Sequence, residues 1–108
     1  MTESLPATAV IRVSRGSFDP SRFAEIEAAN RKTSEYLVPA ITQLPGLLHY
    51  FAGVSPDGTM VNVSIWDTVE HAVQMETLKE MTVIARGEME AVGVTFEKIV
   101  NYPIAWNI

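Results

Sequence analysis

Cysteine is missing from this 108-residue chain, which removes disulfides, thiolate metal sites, CxxC redox chemistry and a cysteine nucleophile together. Basic runs are missing too. Eight Lys and Arg against thirteen Asp and Glu leave a formal charge of −5 and a pI near 4.9, and the cations are scattered from Arg12 to Lys98. Neither a phosphate backbone nor an anionic membrane finds a basic patch to bind. No apolar run approaches the roughly 20 residues that span a bilayer, and Met1-Thr2-Glu3-Ser4 lacks the basic start of a signal peptide, so a cytoplasmic protein is expected. The two histidines show no HxH or HExxH spacing, and no metal site is expected. What is present, 47% hydrophobic and 19% charged residues without low complexity, is the composition of a globular domain. The length suits one core. Residues 1–6 read as a flexible N-terminal tip and residues 7–108 as a single domain.

Val10, Ile11 and Val13 mark a first strand within Ala7 to Ser14. Asp19 followed by Pro20 starts a helix, the carboxylate capping free N–H groups and the proline fitting the first turn. Phe23, Ile26, Ala29, Thr33, Leu37, Ala40 and Ile41 recur at helical spacing, with Glu25, Glu27, Arg31 and Lys32 on the wet side, and Pro39 is placed to kink the last turns. Leu47–Val54 and Thr59–Trp66 read as strands joined through Ser55-Pro56-Asp57-Gly58. Asp67 or Thr68 caps a second helix, with Glu70 completing a capping box from Asp67 and Ala72, Met75, Leu78 and Met81 facing inward; a break is expected near Thr82. A helical piece through Arg86 and Met89 ends at Gly93, and Val94 to about Tyr102 forms the last strand. The order β-α-β-β-α-β is that of an α+β, ferredoxin-like domain, a four-stranded antiparallel sheet with both helices on one face.

In the third strand Val61, Val63 and Ile65 point one way and Met60, Asn62, Ser64 and Trp66 the other. The aliphatic set is expected against the helices. The mixed set, joined by His49 or Tyr50 according to register, suits a pocket wall on the open face. An exposed tryptophan there calls for a cover, and a homodimer through the open sheet face is expected.

Leu44-Pro45-Gly46-Leu47-Leu48, the turn Pro56-Asp57-Gly58-Thr59, and Val61-Asn62-Val63-Ser64-Ile65-Trp66-Asp67 running into Glu70-His71-Ala72 resemble the antibiotic biosynthesis monooxygenase family of dimeric α+β barrels. The likeness covers most of residues 8 to 104. It implies a cofactor-independent monooxygenase that oxidises a phenolic, quinol or anthrone-like aromatic with O2, without metal or flavin. By position it implies Asn62, Trp66 and Arg86 as catalytic residues. A pocket tyrosine of some members falls near Ala72, where this chain departs. Such chemistry needs donors that stabilise a substrate enolate or phenolate and a developing peroxide where water is excluded. The Asn62 amide and Trp66 indole are donors of that kind, and Arg86 supplies a fixed charge. His49 or His71 is the candidate proton acceptor. Tyr50, Ser64 and Met75 complete the expected substrate-binding set with the two histidines.

Each of these residues also has a structural reading. Trp66 can plug the barrel end. Arg86 can pair with Glu90 four residues on. His71 can sit exposed in a first helical turn, and Met75, Met81 and Met89 can fill the core. Asn62 is harder to assign to structure alone, because Asn is depleted inside strands. Haem-degrading relatives carry a haem-ligating His on the later helical segment and an Asn on the first strand, and neither stands in Ala72–Val92 or Ala7–Ser14. A non-catalytic dimeric barrel that binds a small hydrophobic molecule is the alternative from a different class.

Overall fold

A computed structural model describes residues 5–108; the first four residues of the expected N-terminal tip lie outside the described residues. In chain order the elements are β1 (Val10–Ser17), α1 (Phe23–Thr42), β2 (Leu47–Ser55), β3 (Thr59–Trp66), α2 (Val69–Ala72), α3 (Arg86–Ala91), β4 (Thr95–Phe96) and β5 (Val100–Pro103). Every strand pair is antiparallel, in the order β2-β3-β1-β4, with β5 further along the same edge of β1. This is the ferredoxin-like α+β arrangement, with a sheet that does not close. β1 is flanked on both sides, so its side chains are the most deeply covered.

The local signals work as chemistry requires. The Asp19 carboxylate accepts from the Ser21 backbone N–H at 3.0 Å, Pro20 opens a short 3-10 turn, and α1 follows. In the hairpin the Gly58 N–H donates to the Ser55 carbonyl at 3.1 Å, and Gly58 takes φ +99, a conformation that Cβ-bearing residues avoid.

Three expectations need correction. The last strand is two strands: Thr95 and Phe96 pair with Ser17 and Gly16, Val100 pairs with Val13, and the register shifts by one residue across Glu97–Ile99. That shift is a bulge, which bends a strand and re-aims its side chains. Of the two caps expected for the second helix Thr68 serves, its hydroxyl accepting from the His71 N–H at 3.1 Å, while the Asp67 carboxylate turns to the His71 ring and forms no capping box. The helix also ends sooner than expected. Val69–Ala72 is α-helical, Val73–Glu76 is 3-10, and Glu80–Ala85 is a π-helix leading into α3. The break comes at Thr77, with φ −112 and ψ 1, and not near Thr82.

The third correction concerns the sheet faces. Met60, Asn62, Ser64 and Trp66 do share a face, but it is the face that the helices cover, since α1 and the later helical segments line a cavity with the first three and pack on Trp66. Val61, Val63 and Ile65 lie on the open face beside Ile11, Phe51 and Tyr102, and Phe51 is 60% exposed. The pocket therefore lies within the single chain, between sheet and helices.

Candidate functional site

Antiparallel register sets the helix-facing side chains in rows. Tyr50 lies opposite Ser64, Ser64 opposite Arg12, and Arg12 opposite Asn101, so one row across four strands is wholly polar. The next row toward the hairpin carries Ala52, Asn62 and Ser14. Rows on either side are apolar: Leu47, Trp66 and Val10 at one end, and Val54, Met60 and Gly16 at the other. These outer rows belong to two separate cores. Trp66 packs with Val10, Ile41, Ala72 and Met75, while Met60 packs with Phe18, Ile26, Met89 and Val94. The polar rows fall between the cores, and the helices bridge above them.

What remains under the bridge is a cavity of about 80 Å³. Its floor is Arg12, Ser14, Tyr50, Asn62 and Ser64; its roof is α1 through Asn30, Thr33 and Leu37 and the π-helix through Met81, Thr82 and Ala85. Met75, Met89, Arg86 and Phe96 close the sides. A groove of about 310 Å³ between α1 and β2 shares Asn30, Thr33, Leu37, Tyr50 and Asn62 with it. A π-helix is uncommon and tends to stand at functional sites, and this one supplies a wall of the cavity.

The floor is organised by donors. Tyr50 O–H donates to Asn62 Oδ1 at 3.1 Å. With its oxygen so engaged, the Asn62 amide keeps its NH2 for another partner. Burial pushes the Tyr50 phenol up to about 12, with Arg12 pulling the other way, so the hydroxyl is a neutral donor at any physiological pH. Trp66 Nε1–H donates to Ser64 Oγ at 2.8 Å, which leaves the Ser64 hydrogen free to donate in turn. Arg86 stands with its guanidinium carbon 5.2 Å from the Phe96 ring centre and its Nε 3.4 Å from Glu90 Oε2.

Arg12 is the residue that sequence reasoning missed. It is only 5% exposed, and Nη1 donates to Asn101 Oδ1 at 3.3 Å. No carboxylate lies within ion-pairing distance of it among the described residues. Burial pulls its pKa below the ordinary value, opposed by the fields of Glu76 and Tyr50. A signal was present: an arginine inside the apolar run Val10-Ile11-Arg12-Val13 is out of place on a core strand, since arginine is rarely buried without a partner.

The other expected residues divide. Asn62, Arg86, Tyr50, Ser64 and Met75 meet around the cavity. Trp66 is fully buried in the adjoining core and reaches the cavity through the Ser64 hydroxyl. His49 is stacked on Phe51 on the open face, with ring centres 6.1 Å apart. His71 Nδ1 lies 2.6 Å from Asp67 Oδ1 beside the Pro45-Gly46 turn. Neither imidazole lines the cavity, because the β2 register turns His49 outward and the helical turn points His71 back toward Asp67. The cavity wall holds no carboxylate either, and among the described residues no group of three His, Asp or Glu could hold a metal ion.

Comparison with protein-family models and with curated proteins found no match. Comparison with solved structures did. A candidate antibiotic biosynthesis monooxygenase from Deinococcus radiodurans superposes with a TM-score of 0.70 at 24% identity, over 92% of this chain and 95% of that one. ActVA-Orf6, a monooxygenase of Streptomyces coelicolor solved with nanaomycin D, gives 0.70 at 16% identity over 94% and 92% of the two chains. SnoaB, a cofactor-independent oxygenase from Streptomyces nogalater, gives 0.68 at 17% identity over 94% and 98%. The chain has the fold of the antibiotic biosynthesis monooxygenases. No helix is long and apolar enough to cross a membrane among the described residues.

Proposed function

We propose that this chain is a cofactor-independent monooxygenase that oxidises a phenolic, quinol or anthrone-like aromatic with O2. One observation carries the reading: a sheltered cavity lined by methionines and one phenylalanine whose polar floor presents donors without a carboxylate. For an anthrone-like substrate the ring CH2 loses a proton to give a carbanion delocalised onto oxygen. Electrons pass from that anion to O2, the carbon and oxygen join, and a proton completes the hydroperoxide. Loss of water with the remaining C–H hydrogen leaves C=O, so one oxygen atom enters the product and the other departs as water.

Each charge in that sequence has a donor to meet it. Asn62 NH2 and the Ser64 hydroxyl face the enolate or peroxide oxygen, and Trp66 acts through Ser64, since a hydroxyl that accepts a hydrogen bond donates a stronger one. Arg86 adds positive charge from the side wall. Methionines adapt to flat rings of varied outline. His49 and His71 face away from the cavity, so neither is proposed as proton acceptor.

A purified, metal-free sample should consume oxygen with an anthrone faster than buffer does, and Asn62→Ala combined with Trp66→Phe should slow it while the protein stays folded. Uptake equal to the buffer rate across anthrones and hydroquinones overturns the activity. A binding role without turnover is the second reading, favoured by a cavity lining that holds no imidazole and no carboxylate to act as a base. Saturable quenching of Trp66 without oxygen uptake is its signature. We also propose that a second copy covers the open sheet face, where apolar Phe51, Val63, Ile65 and Tyr102 would otherwise meet water.

A further inference from the structure

The proposed chemistry leaves its first step without an agent. A substrate that enters as a neutral acid has to lose a proton, yet the cavity lining contains no imidazole and no carboxylate. On the same floor lies the opposite feature, an arginine that is 95% covered and whose guanidinium has one neutral partner, Asn101. Its remaining nitrogens are not sealed away from space: no buried side-chain nitrogen or oxygen among the described residues lacks a hydrogen-bond partner, and Arg12 lines the cavity. The missing base and the cation without an ion pair answer each other.

We propose that Arg12 anchors an anionic oxygen of the ligand, and that the protein binds aromatic enols and phenols as their anions, in preference to the neutral forms. The inference rests on the oxygenase reading for its substrate class, though the anion preference itself is a binding property. Arg12 sits in register with Ser64 and beside Ser14 in the next row, so an oxygen on the guanidinium also meets two hydroxyl donors. The planar fork suits an enolate flanked by a carbonyl, where two oxygens share the charge. The ring system then lies toward Met81, Met89 and Phe96, with the shared wall at Tyr50 and Leu37 leading to the outer groove. No bond is made or broken in this step. Arg12 is an anchoring residue, and the proton has left before binding.

Two matched probes test it: 2-hydroxy-1,4-naphthoquinone, an acidic enol ionised at neutral pH, and 1,4-naphthoquinone, the same rings without the ionisable oxygen. Trp106 is 77% exposed, so a Trp106→Phe background leaves Trp66 as the reporting fluorophore. A charge-assisted hydrogen bond in a sheltered site corresponds to about a ten- to hundredfold preference for the anion. Arg12→Met, which keeps the stem and removes the charge, should abolish that preference, and Arg12→Lys should keep part of it. Urea midpoints establish that each variant is folded. Equal affinity for the two probes in the otherwise wild-type protein, binding of neither, or a preference that survives Arg12→Met overturns the proposal. If Arg12→Met does not fold, a preference in the background protein that falls in Arg12→Lys decides for it, and equal affinity in the background protein or a preference unchanged in Arg12→Lys decides against it. Oxygen uptake is measured separately. Anion preference without uptake removes the oxygenase reading and leaves the anchor, whereas uptake with unchanged KM in Arg12→Met removes the anchor and leaves the oxygenase.

Discussion

The hydrogen bond from Trp66 to Ser64 decides whether the tryptophan is only core or also part of the cavity chemistry, and a double-mutant cycle measures it. Trp66 has no exposed surface and its Nε1 lies 2.8 Å from Ser64 Oγ. Ser64→Ala leaves a buried indole N–H without an acceptor, which costs about 1–3 kcal/mol. Trp66→Phe loses the same bond and leaves a void beside Val10, Ile41, Ala72 and Met75, together about 2 kcal/mol. In the double variant the bond is lost once, so the two costs exceed their combined effect by about 1 kcal/mol. A domain of this length is stable by roughly 5–15 kcal/mol, so all three variants fold. With urea slopes of about 1–3 kcal/mol per molar, each step moves the midpoint measurably. Costs that add within about 0.5 kcal/mol refute the bond. The cycle repeats on kcat/KM with one further outcome. If Trp66 acts through Ser64, Trp66→Phe has little additional effect once Ser64 is alanine, and independent losses refute that route.

Tyr50 gives a pH signature. Its phenol, pushed up to about 12 in the folded chain, holds its proton where the unfolded chain, near pKa 10, releases it. Its contribution is therefore complete below about pH 10 and is lost as the pH rises toward 12, by about 2–3 kcal/mol. Tyr36, also raised to about 12 by burial and by Glu88, is lost in the same window, so the readout is the difference between wild type and Tyr50→Phe in urea midpoints at pH 9 and 11.5. Equal slopes refute the burial argument. Gly46, at φ +86, has no room for a Cβ because His71 Nδ1 and Asp67 Oδ1 occupy the space. Gly46→Ala should cost about 2 kcal/mol or more in thermal unfolding, and a change under 0.5 kcal/mol contradicts it. Phe51→Glu on the open face should leave monomer stability within about 0.5 kcal/mol while abolishing dimer in sedimentation equilibrium; a dimer unaffected by the charge, or a monomeric wild type, removes the proposed cover.

Elements announced by local chemistry were legible in the sequence. Asp19-Pro20, Pro56-Asp57-Gly58 and the three-and-four spacing from Phe23 to Ile41 act within a few residues, and the structure uses all of them. The π-helix over Glu80–Ala85 and the bulge at Glu97–Ile99 were not. Both are adjustments of backbone to a partner distant in sequence, the helix to the cavity below it and the strand to the edge of β1, and no local propensity encodes them.

The sheet faces show a subtler limit. Period-two alternation sorts β3 into Val61, Val63, Ile65 and Asn62, Ser64, Trp66 without saying which set the helices cover. Assigning the aliphatic set to the helices assumes that the helix-covered face is the dry one. Here the assumption fails because the core is divided: two apolar clusters, around Trp66 and around Met60, carry the packing, and the rows between them are left for polar side chains. A division of that kind is not a packing optimum. A cavity over the polar rows forfeits dispersion contacts, and a covered arginine without a carboxylate bears a desolvation cost that an apolar side chain of the same length would not. Both departures occur at one place, over Arg12, Ser64 and Asn62. Two unfavourable features that share a location, flanked on either side by well-packed clusters, are the physical ground for proposing that a ligand binds there and nowhere else along the sheet.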